Sequence, residues 1–516
     1  MKQNKASLIL YAITVCVLVQ ASLSSITSAQ HTYNRYSQTA SVSLHDSVIQ
    51  NNSNDGPIIE WSKSYGYPHH FENGKSVELT TDGGYVALGF SSENYFLVKT
   101  DASGVEQWNK TYDGLGSDYP DAVQQTSDGG YILSGITFGG PAGTAFWVVK
   151  TDSDGNEQWN KTYHGDECYS VRQTNDGGFI LAGVISYNTT NQFVLLIKTD
   201  NAGNEQWNRT FGQPWNGCYC YSVQQTIDEG FILVGGTSCY GAGSVDVWLI
   251  KTNENGIEQW NRTFGYGCFD MGYSVQQTSD HGYIITGYVE NAPSGFEDVW
   301  LIKTDDRGME QWNKTFGNPF LTDDDRGYYG QQTADGGYII IGANNYGFDP
   351  RAWLIKTDSI GNEQWDFFLE YNGVSLRQTT DGGYIVVGTG GSDNTGHIRL
   401  TKLRSITGPQ LEINTITGGR DIAVSMKDSG DLPLKTIWWS LAFTNASILY
   451  PFYGSLTGYI PILNASNSTT IVTPVFGFAG LFRQSKCTIT FEAQFIPTVK
   501  ITIPVKVFLF KVTIQH

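Results

Sequence analysis

A unit of about fifty residues recurs seven times along this chain, and few folds accommodate such a period. A Trp preceded by Glu returns at Trp61, Trp108, Trp159, Trp207, Trp260, Trp312 and Trp365, with Gln between the two in all but the first. The gaps are 47, 51, 48, 53, 52 and 53 residues. Asp-Gly-Gly or a close variant begins at Asp82, Asp128, Asp176, Asp228, Asp280, Asp335 and Asp381. A Lys-Thr pair closes an apolar run at Lys99, Lys150, Lys198, Lys251, Lys303 and Lys356, and its seventh copy reads in reverse, as Thr401-Lys402. Three independent markers count to the same number. Periods of this length belong to solenoids, propellers or arrays.

The stretch from Tyr273 to Phe316 shows what one unit holds. Tyr273 to Thr278 alternates with period two and reads as a strand. Ser279-Asp280-His281-Gly282 is a turn, because Asp bonds its own backbone and Gly takes positive φ. Tyr283 to Gly287 is a short apolar strand, followed by a loop around Pro293 and Gly295. Val299 to Thr304 is a third strand, and Asp305 to Gly308 turns the chain into a fourth, Glu310 to Phe316. Four short strands per unit mark a propeller blade. Blades cut from the Gln-Gln-Thr strand to the Trp strand leave the seventh with three strands, ending at Leu403. A spare Trp strand, Ile58 to Tyr65, stands ahead of the first full blade. Placed as the fourth strand of the seventh blade, it shuts the ring and removes two exposed edges. The expected fold is all-β. A seven-bladed β-propeller of four-stranded blades spans 58–404, with its N-terminal strand closing the last blade. A small β-sandwich follows.

The phrase from Val299 to Asp305, a Gly-containing turn and then Glu-Gln-Trp resemble the Trp-docking repeats of quinoprotein-type propellers. They are closer still to the tandem propeller repeats of exported archaeal and bacterial surface proteins. The resemblance spans Ile58 to Leu403. It implies that the seven Trp side chains pack between neighbouring blades. It does not carry a cofactor across. Quinoprotein dehydrogenases usually have eight blades, vicinal cysteines and a calcium-binding Glu/Asn/Asp set, whereas this chain has seven units and no adjacent cysteine pair. No cofactor is expected. Calcium is weakly suggested by the oxygen-rich turns at 152–156 and 322–325, which lack a bidentate Glu at the expected spacing.

The first 29 residues read as a secretory signal: Lys2 and Lys5, an apolar stretch from Leu8 to Val19, and the small residues Thr27-Ser28-Ala29. The stretch is short for a membrane span, which needs about 20 residues. No direct span is expected after signal removal, and 30–57 reads as a flexible linker. The formal net charge of -18 excludes nucleic acid as a partner drawn by charge. Six cysteines remain after the signal: Cys168, Cys218, Cys220, Cys239, Cys268 and Cys487. An even count in an exported chain permits disulfides, with the pairing open. After the short linker at 405–410, residues 411–516 have the length and alternation of a β-sandwich. The module is similar to the immunoglobulin-like ends of exported surface proteins, though Cys487 has no partner within it.

Ten N-glycosylation sequons occur, five of them at one repeat position: Asn109, Asn160, Asn208, Asn261 and Asn313. Asn445, Asn464 and Asn467 are further candidates in the tail. Loops vary most on one rim of the ring, where binding usually lives on a rigid scaffold. Trp215, Tyr219, Tyr240, Phe269 and Phe320 decorate that rim and are the candidate binding residues. No nucleophile elbow, zinc-protease helix or phosphate loop occurs, so no catalytic, cofactor or metal residue is named. The expectation is a non-enzymatic, secreted or surface-associated glycoprotein that binds an extracellular protein or glycan. The alternative is an exported polysaccharide hydrolase or lyase with acids gathered in the central channel.

Overall fold

The computed structural model describes residues 56–405 apart from 68–69, 141–142, 189–190, 215, 292–295, 318–323, 345–350 and 391–395, together with the backbone of strands between 411 and 514. The signal, most of the 30–57 linker, Trp215, Phe320, Asn445, Asn464 and Asn467 lie outside the described residues.

Seven antiparallel sheets of four strands account for 58–404. Within blades 1 to 6 the spatial order follows the chain. Blade 7 takes three strands from 372–404 and its fourth, Ile58–Tyr65, from the other end of the domain. That strand runs antiparallel to His397–Arg404, with Ile58 opposite Arg404 and Tyr65 opposite Ile398. Ser62 and Thr401, 339 positions apart, bond through their hydroxyls at 2.7 Å. The first strands of the blades are Glu72–Leu79, Asp118–Gln125, Glu167–Gln173, Cys218–Gln225, Asp270–Gln277, Asp325–Gln332 and Asn372–Gln378. Each touches the equivalent strand of both neighbouring blades. Strands that meet in a closed circuit are the innermost ones, so they ring a central channel.

The hydrophobic core is distributed between blades. The two middle strands of a blade are buried on both faces, as in Asp246–Thr252, whereas the outer strand Glu258–Phe264 is exposed or half-buried up to its last residue. Ile180, Ala182 and Leu196 of blade 3 pack on Phe231, Leu233 and Ile250 of blade 4. Each outer-strand Trp meets an aromatic ring that opens the second strand of the next blade. Trp61 lies 5.9 Å from Tyr85, Trp207 6.0 Å from Phe231 and Trp365 5.9 Å from Tyr384.

The Asp and Lys markers turn out to be one device. Lys99 is buried at 3% exposure and donates to Asp82 at 2.8 Å, to the Thr100 carbonyl at 2.9 Å and to Gln107 at 3.0 Å. Asp82 anchors the first turn of the blade, and Gln107 lies on its outer strand. The lysine thus ties turn, third strand and fourth strand together, and Lys150, Lys198, Lys251, Lys303, Lys356 and Lys402 repeat the ion pair. The seventh copy is therefore not reversed. Lys402 fills the lysine position and Leu403 replaces the threonine, while Glu60 of the closing strand stands 3.6 Å away where other blades place Gln. In Asp82-Gly83-Gly84, Gly83 has φ of 83°, and a Cβ on Gly84 would meet the Thr100 carbonyl at 2.1 Å. In blade 5 the left-handed residue is His281, with φ of 67°, and not Gly282.

Beyond the propeller, backbone strands form a three-stranded sheet (Leu411–Thr417, Asp421–Asp428, Ser468–Pro474) and a five-stranded one (Leu434–Thr444, Leu456–Leu463, Gln484–Glu492, Val499–Phe508, Lys511–Ile514), both antiparallel.

Candidate functional site at the central channel

Every innermost strand carries a bulge at one position, where two residues oppose one on the second strand. The extra residue is Lys75, Asp121, Tyr169, Tyr221, Tyr273, Tyr328 and Val374 in blades 1 to 7, and all seven are half-buried. Their mutual contacts place them around the axis. Tyr169 meets Tyr221 at 4.7 Å between centroids, Tyr221 meets Tyr273 at 4.8 Å, and Tyr273 meets Tyr328 at 5.8 Å. Equivalent side chains of four successive blades touch in sequence only where the blades converge. Tyr219 lies parallel to Tyr221 at 6.4 Å, and Tyr288 adds a further ring against Tyr273 at 5.9 Å. Burial first, then neighbouring hydroxyls, pushes the Tyr221 and Tyr273 phenols up, so this arc is a wall of neutral hydroxyls and ring faces.

At the end of this arc, on blades 2 and 3, the channel turns acidic. Burial raises the Asp121 carboxyl to about 7, with Lys75 opposing the rise and Glu167 adding to it. Glu167 is raised as well, by burial and then by Asp166. Asp121 follows Pro120, a residue tolerated in this edge strand because a bulge there needs no ladder hydrogen bond.

Further along the same strands a second ring comprises Glu78, Gln124, Arg172, Gln224, Gln276, Gln331 and Arg377. Six of these line one cavity of about 290 Å³ that also reaches Asn175 in a turn, so it opens on the face of the Asp-Gly-Gly turns. Residues of blades 1 and 4 share this cavity, as only a central channel allows.

The two mouths sit on very different faces. On the loop face Tyr67, Phe71, Tyr119, Phe138, Tyr187, Tyr240, Tyr266 and Phe269 are exposed. Phe90 and Tyr119 stack at 4.9 Å, and Phe138 closes on Tyr119 at 5.8 Å. On the turn face the exposed large apolar side chains, among the described residues, are the non-aromatic Ile59, Val105, Ile227, Ile257, Met309 and Ile360.

The sequence-derived candidates fall as follows. Tyr219 belongs to the tyrosine arc. Tyr240 packs on Trp248 at 5.5 Å and accepts from Gln213, and Phe269 is half exposed on the same rim. Sequence reading missed the bulge column and the Gln/Arg column. Both are visible when the seven Gln-Gln-Thr strands are stacked, as the variable positions in an otherwise repeated strand. The sequon residues Asn109, Asn160, Asn208, Asn261 and Asn313 lie on the outer strands, each donating to a Glu three positions earlier at 2.6–2.7 Å. Asp152 accepts from the N–H groups of Asp154 and Asn156 at 2.9 and 2.8 Å, which accounts for that acidic turn without an ion.

No protein-family model matches this chain, and no curated protein does. Solved structures that resemble it include a protein of unknown function from Bacteroides caccae, at 11% identity and TM-score 0.36 over 58% of this chain and 94% of that one. Puromycin hydrolase matches at 13% identity and TM-score 0.44 over 69% and 58%, so this chain spans little more than half of it. Virginiamycin B lyase from Staphylococcus aureus matches at 12% identity and TM-score 0.40 over 66% and 99%. Strand pairing defines the seven blades, and likenesses this distant carry no activity to this chain.

Proposed function

We propose that the protein is an exported, surface-associated propeller that binds a neutral glycan at the loop-face mouth of its channel. The observation that carries this is the tyrosine arc of blades 3 to 6 with two raised carboxyls at its end, Asp121 on the adjoining blade 2 and Glu167 two residues before Tyr169. Sugar rings stack on aromatic faces while their hydroxyls seek carboxylate and phenol partners. The paired acids and the charge of -18 disfavour an acidic sugar. The strands after 411 read as the module that spaces or attaches the propeller. Export is supported by Cys218 and Cys239, whose sulfurs stand 2.8 Å apart on the rim of blade 4. In an oxidising compartment the two thiols would pass two electrons and two protons to its disulfide oxidants and join. Intact-mass analysis of unreduced protein reads this directly.

The deciding experiment is a glycan array on the purified chain, followed by calorimetry on the best ligand. Tyr221→Ala and Tyr273→Ala should weaken binding about tenfold or more, the scale of one lost aromatic stack. A wild-type chain that binds no neutral glycan, or variants that bind as it does, would remove the proposal.

The second reading is a polysaccharide hydrolase or lyase, and Asp121 favours it. A carboxyl that titrates near 7 inside a channel has the value a general acid or base needs at neutral pH. Release of reducing ends from a polysaccharide, abolished by Asp121→Asn, would establish it. Binding without turnover would reject it.

A further inference from the structure

The mouth on the turn face has a different chemistry, and it follows from which atoms are already engaged. Five glutamines line the cavity, and every one of their amide oxygens accepts a backbone N–H. Gln124 accepts from Gln173, Gln224 from Gln277 and Gln276 from Gln332, each at 2.7 Å. Gln173 and Gln225 accept from Ser127 and Asn175 at 2.8 and 2.9 Å. These bonds fix the amides. With oxygen turned to the neighbouring blade, Gln124, Gln224 and Gln276 present their NH₂ groups to the cavity, and among the described residues these groups have no acceptor.

Charge points the same way. The cavity holds two guanidiniums and one carboxylate. Arg377 takes both oxygens of Glu78, at 3.0 and 2.6 Å, donates to the Leu376 carbonyl at 2.7 Å and lies 4.4 Å from the Tyr329 ring. Glu78 is thereby used. Arg172 makes one bond, from Nη1 to the Val171 carbonyl at 3.0 Å, and its remaining donors have no carboxylate. Burial, and then the nearby Arg377, disfavour its charge while Glu78 supports it. A cavity of about 290 Å³, net positive and walled by donors, lies in a protein of charge -18.

We infer that this mouth binds one small anion, a carboxylate or an oxyanion, with Arg172 as the principal partner and the three glutamine amides completing the donor set. Guanidinium groups bind both classes through paired N–H donors. The site is separate from the glycan mouth and does not depend on it.

Calorimetry on the full chain tests it with two probes, inorganic phosphate and galacturonate, at low and at physiological salt. One equivalent of at least one probe should bind, more weakly as salt rises. Phosphate alone assigns an oxyanion, and galacturonate alone a carboxylate. Arg172→Gln should weaken binding by about tenfold or more. Gln224→Glu keeps an oxygen for the Gln277 N–H but replaces donors with a negative acceptor. It should abolish binding while the melting temperature without ligand stays near that of the wild type. Binding of neither probe to the wild type, or undiminished binding to Gln224→Glu, overturns the inference.

Discussion

The two faces of this ring are made by the same seven strands per layer yet obey opposite rules. On the turn face the Thr-x-Asp turn, the buried lysine and the interlocked glutamines recur blade after blade with hydrogen-bond lengths that barely change. On the loop face almost nothing recurs, and most of the exposed large apolar side chains are aromatic. Repetition is what shuts a ring, since each blade must fit its neighbour in the same way. Departure from repetition costs little only where blades no longer touch. The contrast therefore separates residues that hold the ring from residues free to recognise something, and it can be attacked at several points.

The most damaging attack removes the closing strand. A chain without residues 58–65 should fail to give a soluble, cooperatively melting propeller, because blade 7 loses its outer strand and blade 6 and 1 interfaces lose support. Soluble yield and far-ultraviolet melting read this. A normal melt would show that the ring does not need its latch.

Next come the buried lysines. Asp280→Ala strands Lys303, and Asp82→Ala strands Lys99. Each should cost about 3 kcal/mol in denaturant titration, and the two values should agree closely because the geometry repeats. Unequal costs would break the claim of uniformity. Although burial pulls upward, hydrogen bonds from Lys99, Thr80 and Gly84 hold the Asp82 carboxyl down to about 2, and Asp176 and Asp381 behave alike. The stability from these groups is present above the unfolded value near 4 and lost as pH falls through 2. Acid unfolding should accordingly be steep between pH 4 and 2.

The loop-face channel should respond in the reverse sense. A carboxyl raised to about 7 burdens the folded state increasingly from pH 4 to 7 and fully above it. Asp121→Asn should leave stability at pH 4 unchanged and raise it by roughly 1–2 kcal/mol at pH 8, a figure reduced for the openness of the channel. A gain equal at both pH values would contradict the raised carboxyl.

The smallest effect concerns two lapses in the uniform face. Glu229 and His281 hold φ of 66° and 67° where five other blades place glycine. His281→Gly should stabilise by about 0.5–1 kcal/mol, relief of left-handed strain being partly offset by the flexibility of glycine when unfolded. Destabilisation would show that the imidazole contributes something the backbone does not reveal.

How far all this could be read from sequence follows the same division. The latch was legible because a Trp strand without a blade and a blade without a Trp strand are complementary defects. The lysine marker was legible as a pattern but not as a device. Its partner Asp lies about 20 residues away, and in blade 7 the pattern even looked inverted at Thr401-Lys402. The channel was not legible by alternation. The bulge at Gly272/Ser274 shifts the period of two, so Tyr273 falls on neither face that strict alternation assigns. Among the aromatics expected on the rim, Tyr219 lies parallel to Tyr221 at 6.4 Å and so also joins the channel arc.

One consequence of the latch is mechanical. Ile58 stands opposite Arg404, so the segments that enter and leave the ring depart side by side from one corner of blade 7. A pull between them loads a single rung at a time and peels the strand like a zipper, where a diagonal pull would load all rungs together. Tension on a tethered molecule would thus be felt first at this corner, leaving six blades intact while the seventh opens.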